Sequence, residues 1–111
     1  MNILVDDLRT EAMLISDGII DPTTTMDIIF RRYIDAFQWF EIFHERCSQL
    51  FIDHDLGTIK DGYNLMCELE AQNIIPNIVT IVSANPVGVR RISALLEANG
   101  FTKNGKSWHR N

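Results

Sequence analysis

Four aspartates, Asp6, Asp7, Asp53 and Asp55, carry the chemistry most easily read from this sequence. Asp6-Asp7 closes the apolar run Asn2–Val5, and Asp53 closes Leu50-Phe51-Ile52, so each stands where a short buried strand runs out. In an open parallel sheet the carboxyl ends of the strands form one rim, where ligands bind. Carboxylates gathered there repel one another unless a cation neutralises them, and an all-oxygen acidic site suits a hard ion. Asp6, Asp7 and Asp53 are therefore expected to hold Mg²⁺ or Mn²⁺, with Asp55 either joining as a fourth acid or pointing to solvent. Any one of them alone is also an ordinary turn residue.

Other polar residues share that rim. Ser83 follows the strand Ile78–Val82, and Asn85 stands two residues on, at the opening of a helix. Both can donate hydrogen bonds to a phosphate, and helix-start amides favour an anion; either side chain can instead cap the helix. Arg9 can clamp a phosphate in bidentate fashion or pair with a nearby acid. His54, between two acids, is a candidate general acid or base. Strand alternation turns it away from Asp53, which gives it a structural alternative. No Ser/His/Asp or Cys/His pattern occurs, and the segment Gly57 to Gly62 lacks the lysine of a phosphate-binding loop.

The elements that must position these residues alternate. Asn2–Val5 reads as a strand, and residues 8–20 as either a short helix or a hairpin around Asp17-Gly18. Met26 to Arg31 is a second strand. Tyr33, Ala36, Phe37, Phe40 and Phe43 recur at helical spacing, and this aromatic stripe belongs to the core. A third strand at Leu50–Ile52 precedes a helix over Gly62 to Gln72. The strand Ile78–Val82 precedes a helix opened by Pro86 and closed by Asn99-Gly100. Such alternation implies right-handed crossovers and an α/β fold with a parallel sheet and flanking helices. The last residues break the rhythm. Asn104-Gly105 predicts a two-residue hairpin with Phe101 opposite Trp108 and Lys103 opposite Lys106.

At 111 residues, one domain spanning 1–111 is expected. A net charge of −5 argues against a general nucleic-acid binder. No apolar run reaches membrane-span length, and the first residues are not those of a signal peptide. Cys47 and Cys67 form no metal or redox motif and read as free thiols, which fits a cytoplasmic protein.

Asp6-Asp7, Asp53 and Ser83-Ala84 resemble the acidic pair, phosphoacceptor aspartate and Thr/Ser-Ala of two-component receiver domains. A more specific resemblance is to the cyclic-phosphate processing receiver domain family. Asp6-Asp7-Leu8-Arg9, Asp53-His54-Asp55-Leu56-Gly57, Gly62-Tyr63 and Ser83-Ala84-Asn85-Pro86-Val87-Gly88 all match its motifs, from residue 2 to about 98. The resemblance implies a receiver-like (flavodoxin-like) fold, with the hairpin replacing the last strand-helix unit. It also implies Mg²⁺-dependent processing of a phosphate ester, such as a cyclic phosphate or cyclic nucleotide, with Asp53 catalytic and His54 the candidate acid or base read from its neighbours. Arg9, Ser83, Asn85 and Lys106 would bind the phosphate, Lys106 standing for the receiver lysine ahead of Lys103. The alternative is a non-catalytic module, phosphorylated on Asp53 or binding a nucleotide. The partner is then a phosphorylated small molecule or another protein.

Overall fold

The computed structural model describes residues Met1–Asn111 as one six-stranded sheet with helices on both faces. Its elements run β1 (Asn2–Val5), α1 (Glu11–Ser16), β2 (Ile28–Phe30), α2 (Tyr33–Phe43), β3 (Gln49–Ile52), α3 (Gly62–Ala71), β4 (Ile78–Ile81), α4 (Pro86–Ala98), β5 (Phe101–Asn104) and β6 (Ser107–Arg110). The strand order is β2-β1-β3-β4-β6-β5. The first four are parallel, whereas β6 lies antiparallel to β4 and β5 antiparallel to β6. The order reverses at β1, so β1 and β3 leave the sheet in opposite directions and a crevice opens between their carboxyl ends.

Residues 8–20 form the helix, not the hairpin. Thr10 Oγ1 accepts the amide of Met13, which starts α1, and Gly18 ends it at a φ of +70° that only glycine adopts without strain. Leu14 is the apolar anchor of α1. It joins Leu4, Ile20, Met26, Phe51 and Val82 in a small core on that face.

The other face holds the main core of 19 buried residues, where α2, α3 and α4 lay Phe40, Leu65, Met66, Ile92 and Leu96 over Ile3, Leu50 and Val79. The stripe of α2 packs inward through Tyr33, Ala36 and Phe40, with Phe37 half-buried against them, but Phe43 at the end of the helix is exposed and lies outside the core. Cys47 and Cys67 are free, and burial pushes the Cys47 thiol up to about 12, so it stays protonated.

The hairpin differs from the sequence expectation by one step. Phe101 lies opposite Arg110, Lys103 opposite Trp108 and Asn104 opposite Ser107, with Gly105-Lys106 as the loop. Gly105 takes φ +65° at the first loop position, the geometry of a Gly-X turn rather than an Asn-Gly turn. This register keeps Phe101 and Trp108 on the buried face and removes the like-charge pair of Lys103 and Lys106. It also sets Val79 beside Trp108 and Thr80 beside Ser107, whose hydroxyls are 2.7 Å apart. The opposite face of this end is polar. Thr80, Ser107, His109, Thr102 and Asn104 lie there, Thr80 buried and the other four half-buried or exposed.

Candidate functional site

β1 and β3 deliver their acids side by side because Val5 pairs with Ile52 in register, one residue before Asp6 and Asp53. Oxygens of Asp6, Asp7 and Asp53 all lie within 4.8 Å of one another. Asp6 and Asp53 are buried, and Asp7 is open to solvent. Burial of a carboxylate requires partners. Asp6 has them: Oδ1 accepts the amides of Leu8 and Arg9 at 2.9 Å each, and Oδ2 accepts Arg9 Nη1 at 2.9 Å. The Asp6 side chain thus makes the turn that follows β1.

Arg9 also reaches Asp53, with Nη1 3.5 Å from Oδ2. Of its two sequence-level alternatives, the structure displays the pairing with acids. Burial works against the guanidinium charge, but Asp6, then Asp53 and Asp17, more than offset it and raise the Arg9 pKa. Asp53 is pushed the other way from an ordinary paired acid. Burial first, and then the charge of Asp6, raise its pKa, against the opposing pull of Arg9, the Asp55 amide and the Ser83 hydroxyl. Arg31, at the end of β2, completes the surroundings by donating to the carbonyls of Asp6 and Arg9.

The Ser83 hydroxyl lies near enough to Asp53 to favour its ionised form. Ser83 Oγ also accepts the Asn85 amide at 3.0 Å. The Asn85 side chain is engaged elsewhere: Oδ1 accepts the amides of Val87 and Gly88, and Pro86 occupies the first turn, so Asn85 caps α4. Lys106 sits at the same rim but donates its ammonium to the Gly18 carbonyl. Asp55 is exposed, and its carboxylate turns to His54 Nδ1 at 3.1 Å, outside the group formed by the other acids.

His54 is buried on the far side of the strand, as alternation requires. Its Nε2 lies 3.2 Å from Asp61 Oδ2 without the alignment of a hydrogen bond. Asp61 is itself the cap of α3, in a reciprocal capping box with Asn64. Two glycines make room for this strand end. A Cβ on Gly62 would stand 1.8 Å from the Asp53 carbonyl oxygen, and one on Gly88 would stand 2.2 Å from His54 Cγ. Arg31, Asp61 and the packing role of these glycines are the parts sequence reasoning missed. Gly62 and Gly88 did stand inside the quoted motifs.

The chemistry of the donor set fits a divalent ion. Three carboxylates face one another with one guanidinium in contact, which leaves two negative charges uncompensated. Oxygens around an octahedral Mg²⁺ stand about 2.1 Å from it, so opposite ligands are roughly 4.2 Å apart.

The sequence pattern of the cyclic-phosphate processing receiver domain matches residues 1–98. The chain belongs to that family. The receiver fold is also seen in solved structures of low identity. The signal receiver domain of a modulated diguanylate cyclase from Desulfovibrio desulfuricans G20 aligns with a TM-score of 0.58 at 14% identity, covering 85% of this chain and 73% of that one. The response regulator domain of Thermotoga maritima CheB aligns at 0.55 and 16%, covering 83% and 69%. The Mn²⁺-bound form of the response regulator Rcp1 aligns at 0.56 and 19%, covering 85% and 73%. No curated protein matches the chain. No helix of this receiver domain is long and apolar enough to cross a membrane.

Proposed function

We propose that this receiver domain binds a divalent cation, Mg²⁺ or Mn²⁺, through Asp6, Asp7 and Asp53 and processes a phosphate ester beside it. The single observation that carries the reading is the convergence of the three acids within 4.8 Å around a buried, charge-disfavoured Asp53. The family name points to a cyclic phosphate as the ester, and the Mn²⁺ held by the Rcp1 structure supports the choice of ion. The cation would supply neutralisation of the carboxylates and of the phosphoryl charge.

The chain's own residues would do the rest. Asp53 attacks phosphorus, the ring P–O bond breaks, and the released oxygen takes a proton from solvent. Water then hydrolyses the acyl phosphate and restores Asp53. The Ser83 hydroxyl holds a phosphoryl oxygen, and Arg9 moves from the acids to the phosphate as charge arrives.

A second reading is a binding or signalling module that takes a phosphoryl group on Asp53 without turnover. One arrangement favours it. His54 faces Asp55 and Asp61, and Lys106 faces Gly18, so neither stands at Asp53 as a proton donor. Incubation with cyclic and linear phosphate esters plus Mg²⁺, resolved by chromatography, separates the two. Product that appears with the wild type and disappears with Asp53→Asn or chelator supports the enzyme. No product from any ester, with beryllofluoride still binding in the presence of Mg²⁺, supports the module.

A further inference from the structure

A cavity lies beside the acids, on loops that contact them. It measures about 530 Å³ and is lined by Arg32, Tyr33 and Ile34 from the start of α2 and by Thr58, Ile59 and Lys60 from the β3–α3 loop. That loop touches the acid cluster, for a Cβ on Gly57 would stand 3.3 Å from Asp7 Oδ2. From Gly57 to Ile59 the chain spans at most roughly 7 Å. On the other wall, Arg31 donates to the carbonyls of Asp6 and Arg9, and Arg32 is the next residue.

The lining is of mixed character. Ile59 is fully exposed, Ile34 is 42% exposed, and the Tyr33 ring carries the Lys60 ammonium 5.3 Å from its centroid. Neither Arg32 nor Lys60 takes part in an ion pair, although the chain is acidic overall. An alkyl chain would use the isoleucines and leave both cations idle. A second phosphate would use the cations and leave the isoleucines in water. A flat heteroaromatic ring uses both: its faces lie on apolar side chains and its edge oxygens and nitrogens accept from the cations.

From this we infer that the cavity binds the base of a nucleotide whose phosphate lies at Asp53. The inference rests on the reading of Asp6, Asp7 and Asp53 as the phosphate end, and it makes a nucleoside phosphate the substrate or ligand class of that site. Ile59 is the lip that closes on the base, and Arg32 is the edge donor.

The test uses a 2-aminopurine riboside 2′,3′-cyclic phosphate followed by fluorescence with Mn²⁺ present, and base-free ribose 2,3-cyclic phosphate as its competitor. The expected result is that Ile59→Ser and Arg32→Ala each weaken the fluorescent nucleotide at least tenfold. Mn²⁺ affinity by calorimetry and the melting temperature should be unchanged, since both side chains are exposed and lie outside the acids. The base-free ester should compete at least tenfold more weakly than the unlabelled nucleotide. Nucleotide binding that survives chelation and Asp53→Asn but is lost in Ile59→Ser keeps the base cavity and overturns the metal reading. Equal binding of the two esters, with both variants silent, overturns the cavity and leaves the metal reading standing. No binding of either ester overturns the cavity, and Mn²⁺ calorimetry then decides the acids separately.

Discussion

The imidazole of His54 occupies the space a methyl group on Gly88 would need, with Cγ 2.2 Å from where that carbon would stand. The first turn of α4 can approach β3 this closely only because residue 88 has no side chain. Gly88→Ala should therefore destabilise the domain by about 1–3 kcal/mol, the usual cost of overpacking. In a His54→Ala background the same substitution should cost much less, because the obstacle is a ring that can be removed. Gly62→Ala should show no such relief, since its obstacle is the Asp53 carbonyl oxygen at 1.8 Å. Urea unfolding of the two double-mutant cycles measures both. Equal cost of Gly88→Ala in both backgrounds would mean that α4, not the ring, absorbs the strain.

Asp7 is the solvent-facing acid of the three, whereas Asp6 also builds the turn after β1. Asp7→Asn should weaken Mn²⁺ binding tenfold or more, about 1.4 kcal/mol, with little change in the melting temperature of metal-free protein. Asp6→Asn should lose affinity and stability together. Calorimetry paired with thermal melts reads this, and unchanged Mn²⁺ affinity in both variants would remove the metal assignment.

Arg9 balances part of the acidic charge before any cation arrives. Arg9→Met should lower the metal-free stability by about 1–3 kcal/mol, because Asp6 is buried and loses a charged hydrogen bond. The same variant should bind Mn²⁺ several-fold more tightly, one competing positive charge having gone. Weaker Mn²⁺ binding would show instead that Arg9 orients the carboxylates.

Burial and the neighbouring Asp6 raise the Asp53 pKa in the folded state. The fold then holds a proton at a pH where the unfolded chain has released it, so ionised Asp53 costs stability above its folded pKa. That cost is relieved as pH falls through the folded pKa, and is gone below the ordinary carboxylate value. Asp53→Asn should raise the metal-free melting temperature near pH 7 by a few degrees, about 4 °C for each kcal/mol at this chain length. The gain should shrink as the pH is lowered toward 4. Calorimetric melts in chelator follow it, and a lower melting temperature for the variant at pH 7 would mean that Arg9 and Ser83 outweigh burial.

The acid rim was legible because Asp6-Asp7 and Asp53 each terminate an apolar run, and a strand end is a local signal. The partners of those acids were not local. Arg31 reaches them from β2, and Asp61 reaches His54 across a loop, so neither had a spacing to betray it. The hairpin's existence was legible, but its register was not. Asn104-Gly105 and Gly105-Lys106 are both acceptable two-residue loops, and the one that forms sets Lys103 opposite Trp108 instead of opposite Lys106. For residues 8–20, Thr10 and Gly18 are the start and stop of a short helix, yet Asp17-Gly18 also suits a turn. The burial of Leu14 against Phe51 and Val82 settles it.

Along Ser107, His109, Thr102 and Asn104 the end of the sheet carries half-buried or exposed polar side chains, while Thr80 is buried and bonded to Ser107. This stretch adjoins β5, an edge strand with unpaired backbone groups on its outer side. Its hydroxyl, imidazole and amide side chains keep that edge from becoming adhesive, and Lys103 adds a charge there. Leucine or valine at Ser107 and His109 would turn a wetted margin into a sticky stripe, and the expected consequence is self-association with the acid cluster untouched.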